Sequence, residues 1–175
     1  MSTFEILQLG HPHLRRKAEF VDEIMSAEKQ SLFDQLLAFV VAKNGLGIAA
    51  VQVDINQRIF IMCSRANLRY PNAPEMSATI IINPEILWCS TEIEKDWEGC
   101  LSLPGIRGLV PRHHTIKVRY TSRYNETVEI KYSGFIARVF QHEFDHLEGI
   151  VFIDRVESSQ DIMMDKEWLK QFAKT

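Results

Sequence analysis

Gln141-His142-Glu143-Phe144-Asp145-His146 sets two imidazoles four positions apart, with a carboxylate beside the first. On a helix, four residues advance the chain by about 6 Å and slightly more than one turn, so His142 and His146 project from one face and can grip one metal ion. Glu143 falls at the edge of that face, placed to exchange a proton with water held by the metal rather than to ligate it. Phe135, Ile136, Val139, Phe140 and Leu147 surround the histidines at helical spacing, which predicts a largely buried helix. Left unpartnered there, two histidines and a glutamate would be costly, whereas a metal and its water satisfy all three. The chemistry indicated is metal-assisted hydrolysis.

Working outward, Ser133-Gly134 separates this helix from a strand over Thr127 to Tyr132, and further β-branched and aromatic runs at Arg58 to Met62, Thr79 to Ile82 and Ile116 to Tyr120 also read as strands. Ser64 to Ala78, with Asn67, Pro71, Asn72 and Pro74, reads as a long loop. From Ser26 to Lys43, Leu32, Phe33, Leu36, Leu37 and Val40 recur at three- and four-residue intervals, an N-terminal amphipathic helix that stops at Asn44-Gly45. The fold class is therefore α+β, with mixed, mostly antiparallel strands packed around a central metal-binding helix. The chain of 175 residues reads as one domain, with a core over 1–156. The tail over 157–175 mixes charge with Ile162, Met163, Leu169 and Phe172 in a helical pattern.

A net charge of −3 gives no electrostatic reason to expect a nucleic-acid ligand. No apolar run approaches the roughly 20 residues that cross a bilayer, and the opening Met-Ser-Thr-Phe-Glu lacks the pattern of a signal peptide. These features point to the cytoplasm and to no membrane partner. Three cysteines, Cys63, Cys89 and Cys100, argue against a disulfide framework.

A catalytic divalent metal usually takes three protein ligands and leaves a position for water, so the histidines need a third partner. Cys100 is the preferred donor: Gly99 before it allows an unusual backbone, and Pro104 after it limits a strand. Glu148 is the nearest rival, but only two residues past His146 it points to another helix face. The block Gly45-Leu46-Gly47-Ile48-Ala49-Ala50-Val51-Gln52 lacks the third glycine of a dinucleotide fingerprint. Its Gln52 is either a satisfied buried amide or a donor aimed at a developing oxyanion.

Taken together, the glycine-rich block, Glu98-Gly99-Cys100-Leu101-Ser102 and Gln141 to His146 resemble, in the same order, the three motifs of the peptide deformylases. The resemblance runs from about Ile6 to Arg155. It implies a hydrolase that removes the formyl group from the N-terminal methionine of newly synthesised polypeptides, releasing formate. On this sequence it makes Cys100, His142 and His146 the ligands of a divalent ion, Fe2+ in the family, with Zn2+, Ni2+ or Co2+ able to replace it in purified samples. It makes Glu143 the proton shuttle, and the Gln52 side chain and Leu101 N–H the oxyanion donors. Backbone groups near Leu46, Gly47 and Gly99 would pair with the nascent chain as an added strand, and Val139 and His142 would line the methionine pocket. Arg107 matches a substrate-side arginine, the alternative being a surface ion pair. Partners implied are N-formylmethionyl nascent peptides and, for the tail, the ribosome. Asp145 stays outside the catalytic set, as a holder of Arg138 or of another group one or two helical turns away, an orienter of a ligand, or a solvated acid. The competing readings are a metallopeptidase, from the same H-E-x-x-H, and a metal-stabilised binding domain, which would have no need of Glu143 and Gln52.

Overall fold

The structure, a computed structural model, describes residues 4–172. Met1 to Thr3, in the opening segment, and Ala173 to Thr175, at the end of the tail, lie outside the described residues. Helix α1 spans Ala27–Ala42; it begins where the Ser26 hydroxyl accepts the Lys29 N–H at 3.3 Å. It stops where Asn44 turns left-handed at φ 51°, so the asparagine of Asn44-Gly45 makes the stop. Strands β1 (Gly47–Ala49), β2 (Ile59–Ser64), β3 (Met76–Cys89), β6 (Thr115–Thr121) and β7 (Thr127–Ser133) form one sheet in the order β1-β2-β3-β6-β7. Strands β4 (Ile93–Cys100), β5 (Leu103–His113) and β8 (Ile162–Met164) form a second, in the order β4-β5-β8. Every pairing within the two sheets is antiparallel. Helix α2 (Gly134–Leu147) carries the histidines, and α3 (Asp165–Phe172) closes the described chain.

The larger sheet is covered on both faces, which explains why Ile59 to Met62 is an unbroken apolar run. Ile59 and Ile61 pack with Phe33, Leu36 and Val40 of α1, whereas Phe60 and Met62 pack with Phe140 of α2. Alternate side chains of a strand point to opposite faces, so each face needs its own apolar set. The Phe60 and Phe140 rings meet edge to face, with centroids 5.1 Å apart. Cutting Phe140 back to alanine would cost about 3–5 kcal/mol and would loosen the helix that carries the site. Helix α2 is tied to the second sheet by the Gln141 amide, which accepts the His113 N–H at 3.1 Å and donates to the His113 carbonyl at 2.9 Å. It ends at Gly149, left-handed at φ 73°, where a Cβ would lie 2.6 Å from the Arg15 carbonyl oxygen.

Three sequence expectations need correction. β3 does not stop at Ile82: Asn83, at φ 49°, forms an irregularity between Ile82 and Glu85, and the strand runs on to pair with β6. It also starts at Met76, which shortens the loop. Pro104 does not limit a strand. Cys100 pairs with Leu103 across a tight hairpin, and Pro104 is the second residue of β5. Pro111 is tolerated because β8 reaches only Ile106 to Gly108, leaving β5 an outer edge at Pro111. Among the described residues, the tail is α-helical only over Asp165–Phe172, after a 3-10 turn at Ser159–Asp161 and strand β8. Among the described residues, no helix is long and apolar enough to cross a membrane.

Candidate active site

The end of β4 and the inner face of α2 bring Cys100, His142 and His146 together, each offering one donor atom, all within 4.8 Å of one another. The Cys100 Sγ lies 3.3 Å from His146 Nε2, and the two imidazole centroids are 5.2 Å apart. A tetrahedral ion at ordinary metal–sulfur and metal–nitrogen distances would hold those atoms about 3.6 Å apart, close to the 3.3 Å between Cys100 Sγ and His146 Nε2, so the donor set suits a metal. A thiolate with two imidazoles suits several divalent transition ions. Glu148, the rival donor, instead pairs with Arg58 at 2.6 Å and Lys17 at 2.9 Å. Cys63 and Cys89 lie outside the donor group, and all three cysteines are free thiols.

His142 is aimed by its other nitrogen: Nδ1 lies 2.8 Å from Glu98 Oε2. Such a carboxylate behind a ligating imidazole fixes both tautomer and ring orientation. Glu98 is itself buried, gripped in a two-pronged contact by Arg112 Nε at 2.9 Å and Nη2 at 3.0 Å, with Arg138 Nη1 at 3.0 Å. Burial opposes its charge, but Arg112 and His142 outweigh that and hold its carboxyl well below the usual range. Asp145 does not hold Arg138. It accepts from Arg112 and, at 2.7 Å, from Arg155, while Arg138 donates to the Val110 and Glu94 carbonyls as well as to Glu98. The result is a buried lattice of alternating charge behind the histidines.

Glu143 differs from Glu98 in having no such support. It is 5% exposed, its Oε2 has no hydrogen-bond partner, and burial pushes its carboxyl up to about 7. Gly47 makes room for it: a Cβ there would lie 2.2 Å from Glu143 Oε1. Gln52 is fixed from its oxygen side, where Oε1 accepts the Ala49 N–H at 2.8 Å. Its Nε2 therefore points inward, 3.0 Å from Ser102 Oγ and 3.4 Å from Cys100 Sγ. Leu101 sits in the hairpin turn between β4 and β5 and lines the same cleft.

That cleft, about 380 Å³ in volume, runs past Leu46, Gly47, Gly99, Val139, His142 and Glu143. β1 and β4 are each at an edge of their sheet, so unpaired backbone from both sheets borders it. The Leu46 carbonyl is already engaged, accepting the Cys63 N–H at 2.8 Å. Arg107 also lines the cleft but is 3% exposed, and its ion pair is a buried one: Nε donates to Asp165 at 2.8 Å and Nη1 to the Tyr70 hydroxyl at 2.9 Å. Sequence reading missed Glu98, Arg112, Tyr70 and Asp165 as parts of the site. Only Glu98 left a signal, as an acid two positions before Cys100.

The family model of polypeptide deformylase matches residues 3–161. The chain belongs to the polypeptide deformylase family. Peptide deformylase 2 of a Nostoc species is 55% identical over 93% of this chain and 91% of its own length. A solved class I type b peptide deformylase from Acinetobacter baumannii, bound to Met-Ala-Ser, superposes with a TM-score of 0.86 at 44% identity, over 89% of this chain and all of that one. A peptide deformylase from Thermotoga maritima gives 0.80 at 37% identity, over 90% and 100%. As a deformylase, the chain is a hydrolase that removes the N-formyl group from nascent polypeptides. The antiparallel sheets around α2 are the α+β arrangement read from the sequence.

Proposed function

We propose that this chain works in the cytoplasm as a single catalytic domain over 1–175 with core 1–156, that it deformylates N-formylmethionyl nascent peptides at Cys100, His142 and His146, and that its resident ion is Fe2+. The convergence of those three donors beside an unpartnered, buried Glu143 is the observation that carries the reading. When bound, a divalent cation supplies Lewis acidity and lowers the pKa of water.

The remaining work falls to the chain's own groups. Glu143, buried and with no hydrogen-bond partner at Oε2, takes the proton of the attacking water and returns one to the leaving amine. Gln52 donates from Nε2 to the oxygen of the attacked formyl group, its orientation fixed by the Ala49 N–H. The Leu101 N–H is the second donor, and losing either would cost about 3 kcal/mol of transition-state stabilisation. The peptide lies as an extra strand against the open edges near Leu46, Gly47 and Gly99, read mainly through backbone hydrogen bonds. The methionine side chain rests on Val139 and the His142 ring, and Arg107 supports the wall downstream. Such a substrate emerges at the ribosome, which the tail over 157–175 would contact.

The test is formate release from formyl-Met-Ala-Ser by iron-loaded protein under anaerobic conditions. The reading requires formate there and no cleavage of unblocked Met-Ala-Ser. Peptide-bond cleavage without formate would make the chain a metallopeptidase.

A further inference from the structure

The family model ends at Asp161, so β8 and α3 lie beyond it. Both nevertheless build the cleft. β8 pairs with β5 at Ile106, Arg107 and Gly108, and from α3 Asp165 and Leu169 face the cleft. Asp165 spans two arginines from separate parts of the chain: Arg107 of β5 at 2.8 Å and Arg69 of the 65–75 loop at 3.1 Å. Arg107 is further fixed with its guanidinium carbon 4.5 Å from the Trp168 ring centre and 5.4 Å from that of Tyr70. Where Gly99 has no side chain, a Cβ would sit 3.3 Å from the same guanidinium carbon, so Arg107 lies directly against the strand that borders the peptide path. With Lys43 and Arg138 also on the lining, four cations border the cleft beside the acids Glu98, Glu143 and Asp165, and of these acids Asp165 is the one ion-paired with Arg69 and Arg107.

From this geometry we infer, building on the deformylase reading above, that the C-terminal strand and helix set the charge selectivity of the cleft. Asp165 is the specificity-determining residue: it offsets Arg69 and Arg107 against acidic side chains downstream of the formylated methionine. Burial works against the Asp165 charge, but the hydrogen bond from Arg107 and the field of Arg69 keep its carboxyl below the usual range, so the offset is present at neutral pH.

The experiment compares kcat/KM for formyl-Met-Ala-Glu, formyl-Met-Ala-Lys and formyl-Met-Ala-Ser in the wild type, Asp165→Asn, Arg69→Gln and Glu167→Gln. A unit charge about 8 Å from a substrate charge in a wet cleft shifts each charged peptide by a factor of about two to three, in opposite directions. Asp165→Asn therefore raises the Glu-to-Lys ratio about fivefold, Arg69→Gln lowers it by a similar factor, and the change lies in KM. Both shifts shrink at high salt, since a Debye length of about 10 Å at 0.1 M falls to about 3 Å at 1 M. Glu167→Gln removes a charge from the same helix, where the residue pairs with Lys170, and leaves the ratio in place. If Asp165→Asn slows all three peptides alike, the tail is only a structural support and the inference falls. It also falls if Glu167→Gln moves the ratio as much. Formate from formyl-Met-Ala-Ser with an unmoved ratio overturns this inference alone, whereas no formate from the wild type with any peptide overturns the deformylase reading with it.

Discussion

Replacing Glu143 with glutamine should make the metal-free protein more stable and the enzyme nearly inactive. The side chain is buried, its Oε2 lacks a partner, and burial lifts its carboxyl from 4.5 to about 7. A carboxyl whose folded pKa is raised destabilises the fold when ionised. The penalty is absent below pH 4.5, grows between 4.5 and 7, and is fully present above 7. At 1.36 kcal/mol for each pH unit across that interval, it reaches about 3 kcal/mol. The glutamine amide would keep the shape and carry no charge, so the chelated Glu143→Gln protein gains about 2–3 kcal/mol over the chelated parent at pH 8 and almost nothing at pH 4.5. For a chain of this length that is a rise in Tm of about 5–10 °C at pH 8. In the iron-loaded enzyme the same change removes the proton acceptor, and kcat falls by about 10²–10⁴. Thermal unfolding of both chelated proteins at pH 5 and pH 8, together with formate release by the iron-loaded forms, measures both halves. A Tm difference that does not depend on pH, or a variant that keeps its turnover, would refute the reasoning.

Gly47→Ala would place a methyl group 2.2 Å from Glu143 Oε1 and 2.6 Å from its Cδ. Glu143 must then swing aside, so kcat falls about 100-fold while the metal content, measured by elemental analysis, stays near one ion per chain. Glu98→Gln leaves Arg112 and Arg138 buried against a weaker partner and costs about 3–5 kcal/mol in denaturant unfolding. It also frees His142 Nδ1, lowering metal affinity by about 10–100-fold in a competition with a chelator. Because the folded Glu98 pKa is depressed, its stabilisation is complete above pH 4.5 and drains away as acid is added below that. The stability curve of Glu98→Gln should therefore be flatter than the parent's below pH 4.5, and equal slopes would remove Glu98 from the account.

The parts of this molecule legible in the sequence are those whose information is local. The spacing of His142, Glu143 and His146 and the rhythm of Leu32 to Val40 depend on helical periodicity alone, and the structure puts α1 within a residue of the expected bounds. β4 and β5 were illegible because their cues conflict. Glu92, Glu94, Asp96 and Glu98 alternate like a solvated segment, and Pro104, Gly105, Gly108 and Pro111 read as turns. The burial of Glu98 is decided by Arg112, Arg138 and His142, which are 14, 40 and 44 residues away, and no local pattern carries that. Asp145 misled for the same reason: helical spacing offered Arg138, while tertiary packing supplied Arg112 from β5 and Arg155 from beyond the helix. The tail read as a lone amphipathic piece because the strand it completes, at Arg107, had itself not been recognised.

X-ray absorption at the edge of the ion carried by the anaerobically purified protein addresses the donor set most directly. The account predicts one sulfur scatterer at about 2.3 Å and nitrogen scatterers at about 2.0–2.1 Å, with the sulfur contribution vanishing in Cys100→Ser. A first shell of nitrogen and oxygen alone in the wild type, or a sulfur signal that survives Cys100→Ser, would contradict it.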